Sequence, residues 1–227
     1  MPKRGSCYWC GCYGCHEIDS YDGLGARGPS LERVKDKLTP EWAFNWIEDP
    51  KSFRANTWMP SFFGQSNNDT PESIERSQQE IHSIVSYLWD SSSGYDMLPL
   101  PGQGDAARGE ELVASIGCMG CHQLPDGQDS AANRDDLRRQ FGPNFAGMGS
   151  KTTERWIYNW LRDPKSYHTE TRMPNMRLNE QEAADITAYL SNFRNDVESG
   201  IPPVDEQLVG QIVLDFLVKT NTDSVAR

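Results

Sequence analysis

The sequence contains one pattern of residues twice, and this internal repeat is the strongest constraint on how the chain can fold. In one register, each repeat has a Gly-Pro pair, two tryptophans, an Asp-Pro pair and a Met-Pro pair. The first repeat contains Gly28, Pro29, Trp42, Asn45, Trp46, Asp49, Pro50, Lys51, Ser52, Phe53, Thr57, Met59 and Pro60. Their counterparts are Gly142, Pro143, Trp156, Asn159, Trp160, Asp163, Pro164, Lys165, Ser166, Tyr167, Thr171, Met173 and Pro174. The pattern predicts two copies of one folding unit.

Each repeat also contains a Cys-x-x-Cys-His string, formed by Cys12, Cys15 and His16 in the first repeat and by Cys118, Cys121 and His122 in the second. Two thiols at this spacing can each add to a vinyl group of haem, and the histidine then lies under the iron as an axial ligand. The sequence therefore predicts two covalently bound haem c groups. Zinc knuckles also use paired Cys-x-x-Cys strings. That alternative is disfavoured because each repeat has a Met-Pro pair where zinc would need further cysteine or histidine.

The second axial ligand of each iron is predicted to be the methionine of the Met-Pro pair, Met59 in the first repeat and Met173 in the second. A thioether is soft and neutral, and Met/His ligation raises the iron potential relative to two imidazoles, as in electron carriers. Alternatives remain open in both repeats. Met176 lies close enough to Met173 in the sequence to replace it, and His82 and His168 would be the ligands if each iron bound two imidazoles.

The predicted fold class is all-α. Strand signals are scarce, and apolar residues recur at helical spacing near the end of each repeat. Asp49-Pro50 and Asp163-Pro164 are expected to end the tryptophan helices, because proline disfavours helical geometry in the residue before it. The chain after them is expected to loop over a cofactor face. The closing helices are predicted from Ile74, Ile81, Ile84, Val85 and Leu88 in the first repeat and from Leu178, Ala183, Ile186 and Leu190 in the second.

Composition divides the chain into four segments. Residues 1–90 and 108–195 are predicted to be the two domains. Residues 91–107 are predicted to be a linker, since serine, proline and glycine oppose regular structure there. Residues 196–227 are predicted to be a C-terminal extension with an amphipathic helix from Asp205 to Lys219.

These motifs resemble the class I cytochrome c family, whose units have a Cys-x-x-Cys-His motif, a Gly-Pro loop, a Met-Pro loop and a C-terminal helix. The resemblance covers Cys12 to Asp90 and Gly109 to Phe193. It implies two tandem all-α cytochrome c domains, each wrapped around one covalently bound haem. The tryptophan, Asp-Pro and Thr-x-Met-Pro string is also similar to haem c domains attached to membrane respiratory complexes.

The resemblance assigns roles to two prolines: the carbonyl of Pro29 supports His16, and that of Pro143 supports His122. It also exposes one departure from the family. Family units begin with a helix that crosses the closing helix, and residues 109–116 can supply it in the second repeat. The first repeat has only a short stretch before its Cys-x-x-Cys-His string. The C-terminal helix could cover that side of the first haem, or it could dock on a partner subunit.

Charge and hydropathy exclude some classes of partner. The formal net charge is −11, acidic residues exceed basic ones in both halves, and no basic stripe for nucleic acid exists. No run approaches the roughly 18 apolar residues that cross a bilayer, so no membrane span is expected. The mean hydropathy of −0.69 fits a chain whose interior is partly supplied by haem.

The N-terminal residues give a mixed picture of localisation. They have no apolar region typical of a secretory signal, yet haem c attachment in the family takes place outside the cytoplasm. A periplasmic or other extracytoplasmic protein is therefore expected. The sequence would then represent a mature form or a segment of a longer polypeptide. Cys7 and Cys10 form a third Cys-x-x-Cys string without a following histidine. A disulfide is favoured there in an oxidising compartment, with a redox-active dithiol as the alternative.

The predicted function is electron transfer by a diheme c-type cytochrome, not catalysis. Redox proteins of a respiratory or related chain are the expected partners, above all a membrane-bound respiratory or quinol-oxidising complex. The alternative is a diheme enzyme, a peroxidase or a sulfur-compound dehydrogenase, with one substrate-binding haem. Such an enzyme needs an open or displaceable sixth iron position, and two equivalent Met-Pro loops argue against it.

Overall fold

The computed structural model describes residues 11–18, 28–54, 57–67, 69–125, 142–195 and 201–225, with side chains through 219. These residues form helices and irregular segments and no strand, in agreement with the all-α prediction. No helix in these ranges is long and apolar enough to cross a membrane. Contacts divide the chain into unit 1, made of Met1–Val34, Ala43–Ser92 and Gly200–Arg227, and unit 2, made of Lys35–Trp42 and Ser93–Ser199.

The helices of the described ranges include the tryptophan helices and the closing helices that the repeat predicted. They are α1 (Val34–Lys37), α2 (Pro40–Glu48), α3 (Pro50–Phe53), α4 (Pro71–Ser91), α5 (Ala106–Ser115), α6 (Met148–Lys151), α7 (Glu154–Arg162), α8 (Pro164–Tyr167), α9 (Glu180–Ser191) and α10 (Glu206–Val225). Each Cys-x-x-Cys-His string contains a 3-10 turn, at Cys12–Gly14 and Cys118–Gly120. The closing helices are α4 and α9.

In unit 2, α5 crosses α9 at very close range. A Cβ atom at Gly109 would lie 2.6 Å from the backbone carbonyl carbon of Asp185, so only glycine lets the two backbones approach this closely. One turn further along α5, Val113 is buried in the core with Ile186 and Leu190 of α9. This is the crossing helix that the family resemblance assigned to residues 109–116.

A buried carboxylate ties the beginning of α5 to α9. Asp185 is fully buried and accepts hydrogen bonds from the Asp105 backbone N–H at 2.9 Å and the Gln181 amide at 2.8 Å. Arg108 lies 3.4 Å from its second oxygen. Burial raises the pKa of Asp185, but these two hydrogen bonds and the Arg108 charge outweigh burial and hold the pKa below its ordinary value. The crossing is therefore held by an ionised carboxylate as well as by apolar contacts.

The part of the predicted linker between α4 and α5 is irregular, and from Ser93 onward it packs within unit 2. Between α4 and α5 the chain has no regular element. The backbone N–H of Leu98 donates to the Asn159 side chain at 2.8 Å, and that side chain donates back to the Leu98 carbonyl at 3.0 Å. Arg155 also donates to this carbonyl, at 3.2 Å. Two side chains of α7 thus hold this segment in place.

Residues just before α2 also belong to unit 2. The Thr39 N–H donates to the Lys151 carbonyl at 3.3 Å. The Lys151 ammonium lies 4.8 Å from the centroid of the Trp42 ring, and the Lys37 ammonium lies 5.1 Å from that of Trp156. Both distances are typical of cation–π contacts, and burial lowers the pKa of Lys37. Unit 2 therefore includes a segment of the first repeat.

In unit 1 the closing helix α4 presents one buried face. Ile81, Ile84 and Leu88 are buried, as the periodicity predicted. Ile74, in the first turn of the helix that the Thr70 side chain caps, is 43 % exposed. The buried apolar face therefore begins at Ile81, about two turns later than the sequence pattern indicated.

The C-terminal helix α10 belongs to unit 1, where it contacts α4. Gln79 of α4 is buried, donates to the Pro203 carbonyl at 3.1 Å and accepts from the Asp205 N–H at 2.9 Å. Arg76 forms an ion pair with Asp215 at 2.9 Å. The C-terminal helix therefore packs against the closing helix of the first repeat.

Candidate functional site

Each Cys-x-x-Cys-His string folds as a single tight turn. The turn follows a glycine in the left-handed region, Gly11 with φ 64° in unit 1 and Gly117 with φ 97° in unit 2, a conformation that glycine adopts without steric cost. The histidine N–H then donates to the carbonyl of the first cysteine, at 2.8 Å in unit 1 and 3.0 Å in unit 2. Two thiols and one imidazole are thereby presented by one short loop in each unit.

The Gly-Pro loop closes back on this turn in both units. The glycine N–H donates to the carbonyl of the second cysteine, at 2.6 Å for Gly28 and 2.9 Å for Gly142. The Nδ1 atom of His16 lies 2.8 Å from the Pro29 carbonyl oxygen, and the Nδ1 atom of His122 lies 2.8 Å from the Pro143 carbonyl oxygen. A carbonyl only accepts hydrogen bonds, so Nδ1 carries the proton and Nε2 keeps its lone pair for a metal.

Space beside each imidazole exists only because the residue before the proline is glycine. A Cβ atom at Gly28 would lie 2.6 Å from His16 Cε1, and one at Gly142 would lie 2.5 Å from His122 Nδ1. Both distances are well inside van der Waals contact. The glycine thus lets the chain pass the ring closely enough for the next carbonyl to reach Nδ1.

The imidazole of unit 2 is further held from its other side. The ring of His122 stacks on Phe145, with centroids 4.6 Å apart and planes at 19°. Burial lowers the pKa of His122, against the raising effect of its hydrogen bond to the Pro143 carbonyl. The net effect favours the neutral ring, the form that binds a metal ion.

The Met-Pro loop begins with a short helix that the sequence pattern did not predict. Asp49 and Asp163 do end α2 and α7, but α3 and α8 follow directly, each with proline at its first position. Proline is favoured there because its fixed φ suits a helix and its missing N–H leaves no helical bond unmade. In unit 1 the Asp49 side chain also accepts from the Lys51 N–H at 3.2 Å. The loop over the cofactor face therefore starts about one turn later than expected.

Both predicted methionine ligands accept a hydrogen bond from a tryptophan of the preceding helix. The indole Nε1 of Trp46 lies 2.8 Å from the sulfur of Met59, and that of Trp160 lies 2.8 Å from the sulfur of Met173. A thioether sulfur has two lone pairs, so one can accept the indole proton while the other stays free for iron. The tryptophan thus fixes the orientation of the sulfur in each unit.

A threonine positions the backbone of the same loop. The N–H of Met59 donates to the Thr57 hydroxyl at 3.2 Å, and the N–H of Met173 donates to the Thr171 hydroxyl at 3.2 Å. Neither the tryptophans nor these threonines were predicted to contact the methionine. The available signal was their constant spacing from the methionine in both repeats.

The rival ligands lie in different surroundings. His82 donates from Nε2 to the Pro202 carbonyl at 2.7 Å and packs against Phe44, with ring centroids 4.7 Å apart. His168 is exposed at the end of α8, and Met176 is half-buried against the core of unit 2. None of them shares the tryptophan and threonine contacts just described. Cys7 and Cys10 lie outside the described residues.

Comparison with known proteins gives a family match for part of the chain. The family model described as Cytochrome c matches residues 106–194, a span of unit 2 from the first residue of α5 to just beyond α9. No curated protein matches the chain. The match supports a cytochrome c domain at residues 106–194, and domains of that family typically bind haem c covalently and occur in electron-transfer proteins.

Proposed function

We propose that the chain is a diheme c-type cytochrome that transfers electrons between redox proteins, because residues 106–194 match the cytochrome c family model. The second haem would be held by Cys118, Cys121, His122 and Met173, and the first by Cys12, Cys15, His16 and Met59. We further propose that the protein acts outside the cytoplasm, in a respiratory or related chain, as a subunit or partner of a membrane-bound complex.

One observation carries the diheme proposal: unit 1 has the same ligand-positioning contacts as unit 2, although the family model matches only unit 2. In both units a proline carbonyl lies 2.8 Å from the histidine Nδ1. In both units a tryptophan Nε1 lies 2.8 Å from the methionine sulfur. Two independent contacts, one to each axial ligand, are thus present in unit 1, which lies outside the residues matched by the family model.

The donor set fits an iron porphyrin in each unit. Paired thiols suit thioether bonds to the two vinyl groups, and a neutral imidazole and a thioether suit the two axial positions. The bound group supplies a one-electron Fe(III)/Fe(II) couple. The chain orients both axial ligands, and apolar packing around the bound group would exclude water, which favours the less charged reduced centre. No catalytic base is needed for this function.

The partner and location are supported by charge and by resemblance. A formal net charge of −11 affects how fast the protein meets charged partners and how strongly that rate depends on salt. The Trp, Asp-Pro and Thr-x-Met-Pro string is similar to haem c domains attached to membrane respiratory complexes. The enzyme alternative needs one displaceable methionine, whereas both methionines have the same two supporting contacts.

The test is a count of haems and of methionine-ligated irons per chain. We expect two haems by the pyridine haemochrome assay, and a methionine-to-iron charge-transfer band of the oxidised protein whose intensity corresponds to two sites. One haem per chain would show that unit 1 binds none. Two haems with one methionine-ligated iron would contradict the closed electron carrier and favour a substrate-binding haem.

The tryptophan hydrogen bond gives a smaller and specific prediction. Without the indole donor, the methionine sulfur donates more electron density to ferric iron, so Trp160→Phe should lower the potential of the second haem. A net hydrogen bond of about 1 kcal/mol corresponds to about 40 mV for a one-electron couple. Potentiometric titration of the holoprotein measures the shift.

Trp156→Phe is the matched control for this titration. Trp156 stacks on Trp160, with centroids 5.2 Å apart, but its indole N–H has no acceptor among the described residues. The Trp156→Phe variant should therefore change the packing and leave the potential of the second haem nearly unaltered. Equal shifts in both variants would show that packing, not the hydrogen bond to sulfur, sets the potential.

A further inference from the structure

Lys37 of the first repeat packs on aromatic side chains of the second repeat. Its ammonium lies 5.1 Å from the centroid of the Trp156 ring and 6.0 Å from that of Tyr167. The two rings meet edge to face, with centroids 5.5 Å apart. Among the described residues, no carboxylate forms an ion pair with Lys37. A positive charge is therefore held against two aromatic rings of unit 2, to which Lys37 itself belongs.

The same contact occurs a second time with the repeats exchanged. In the common register Lys151 is the counterpart of Lys37, and Trp42 is the counterpart of Trp156. The Lys151 ammonium lies 4.8 Å from the centroid of the Trp42 ring, and all four residues belong to unit 2. Each repeat thus places a lysine on the first tryptophan of the other repeat's tryptophan helix. This recurrence indicates a specific contact rather than an accident of one side chain.

Three successive contacts connect the Lys37 charge to the methionine assigned to the second iron. Trp156, the ring beneath the ammonium, stacks on Trp160 with centroids 5.2 Å apart. The Nε1 atom of Trp160 lies 2.8 Å from the sulfur of Met173. Tyr167 also contacts Trp160, with centroids 6.1 Å apart. Aromatic rings fill this path, and they screen a charge far less than bulk water does.

We propose that Lys37 raises the potential of the second haem, so that a charged residue of one repeat sets the redox equilibrium of the other repeat. The proposal rests on the proposed function, because it takes Met173 as an iron ligand. Reduction adds one electron to the iron and lowers the positive charge of the centre by one, so a nearby cation favours the reduced form. In this role Lys37 acts through its charge and needs no contact with the iron.

The surroundings of Lys37 make its charge effective. Burial lowers the pKa of Lys37, because the ammonium gives up part of its hydration when it packs on the rings. Lys165 of α8 is exposed instead, although it lies only two residues from Tyr167 in the sequence. Water and salt screen the charge of an exposed lysine far more strongly than that of a buried one. The two lysines therefore allow the same charge to be compared in two environments.

The test compares Lys37→Met with wild type in a potentiometric titration of the holoprotein. Methionine keeps the length and the apolar stem of the side chain but removes the charge. At an effective dielectric constant of about 20, a unit charge about 12 Å away changes a one-electron equilibrium about tenfold. We therefore expect the reduction equilibrium of the second haem to fall about tenfold, or by about 59 mV, and the shift to persist at high ionic strength. The methyl resonance of each axial methionine, assigned through its loss in Met173→Ala, distinguishes the two haems.

Matched variants show whether the charge itself is responsible. Lys37→Gln, a second neutral variant, should show the same fall as Lys37→Met, whereas Lys37→Arg keeps a cation over the rings and should keep the wild-type potential. Lys165→Met removes a charge from an exposed position and should leave the potential of the second haem unchanged. Equal shifts in Lys37→Met and Lys37→Arg would overturn the proposal, because packing would then set the potential. No shift in the neutral variants, or a shift confined to the first haem, would also overturn it.

The proposed function is tested separately on the same samples. The methionine-to-iron band should correspond to two sites in wild type and in Lys37→Met. Absence of the Met173 site from wild type would overturn the proposed function, and the Lys37 proposal with it. Two sites in both proteins with an unchanged potential would overturn the Lys37 proposal alone. Loss of the Met173 site only in Lys37→Met would also overturn it, because Lys37 would then hold the methionine loop in place rather than tune the potential.

Discussion

Gly142→Ala is expected to remove the low-spin spectrum of one haem per chain. The added Cβ would lie 2.5 Å from Nδ1 of His122, on the atom that bonds to the Pro143 carbonyl. The ring cannot move aside easily, because it stacks on Phe145 and follows a turn held by its own backbone hydrogen bond to Cys118. The imidazole must therefore rotate away from the position in which Nε2 can reach iron.

The pyridine haemochrome assay and electron paramagnetic resonance measure this loss. An unattached haem and a high-spin haem both reduce the low-spin count from two to one. Gly120→Ala is the control within the same unit, because a Cβ there meets nothing within 4 Å. Gly28→Ala should have the same effect on the first haem, since its Cβ would lie 2.6 Å from His16 Cε1. Two intact low-spin haems in Gly142→Ala would show that the close approach of glycine is not needed for ligation.

Met173→Ala is expected to open the sixth iron position of the second haem. Alanine offers no donor atom, and the Trp160 indole that now bonds to the sulfur would lose its acceptor. We expect the methionine-to-iron band to fall to half and carbon monoxide to bind one haem per chain, where the wild type binds none. Absorbance spectra of the oxidised protein and of the reduced protein under carbon monoxide measure both changes.

Met176→Ala separates the two candidate methionines of this loop. Met176 packs against the unit 2 core and has neither the tryptophan nor the threonine contact of Met173, so this variant should keep the full band and exclude carbon monoxide. If Met176→Ala loses the band and Met173→Ala keeps it, the ligand assignment is wrong. Binding of carbon monoxide by the wild type would favour the enzyme alternative.

The parts of the site that follow from local spacing were predictable from the sequence. The Cys-x-x-Cys-His string places its thiols and imidazole within one turn, so its geometry depends on few residues. The repeat identified Met59 and Met173 as equivalent positions, and the structure surrounds them with equivalent contacts. Helix ends at Asp-Pro were predictable for the same reason, because proline acts on the residue next to it.

The parts that depend on distant contacts were not predictable. A tryptophan can pack or donate a hydrogen bond, and only the fold shows that the indoles of Trp46 and Trp160 reach a sulfur thirteen residues away. The same limit applies to the C-terminal helix. Its apolar periodicity predicted a helix but not its neighbour, which is decided by the polar contacts of Gln79 with Pro203 and Asp205.

The carbonyls of Pro29 and Pro143 preorganise the two axial histidines for iron. Each holds a histidine ring in one orientation and one tautomer, with the proton on Nδ1. A ring held in this way loses little rotational entropy when it binds iron, because the neutral tautomer with its proton on Nδ1 presents the lone pair on Nε2. The Gly-Pro loop therefore holds each histidine ring in the orientation that iron needs, and much of the ordering cost of the histidine–iron bond is met by the folding of this loop.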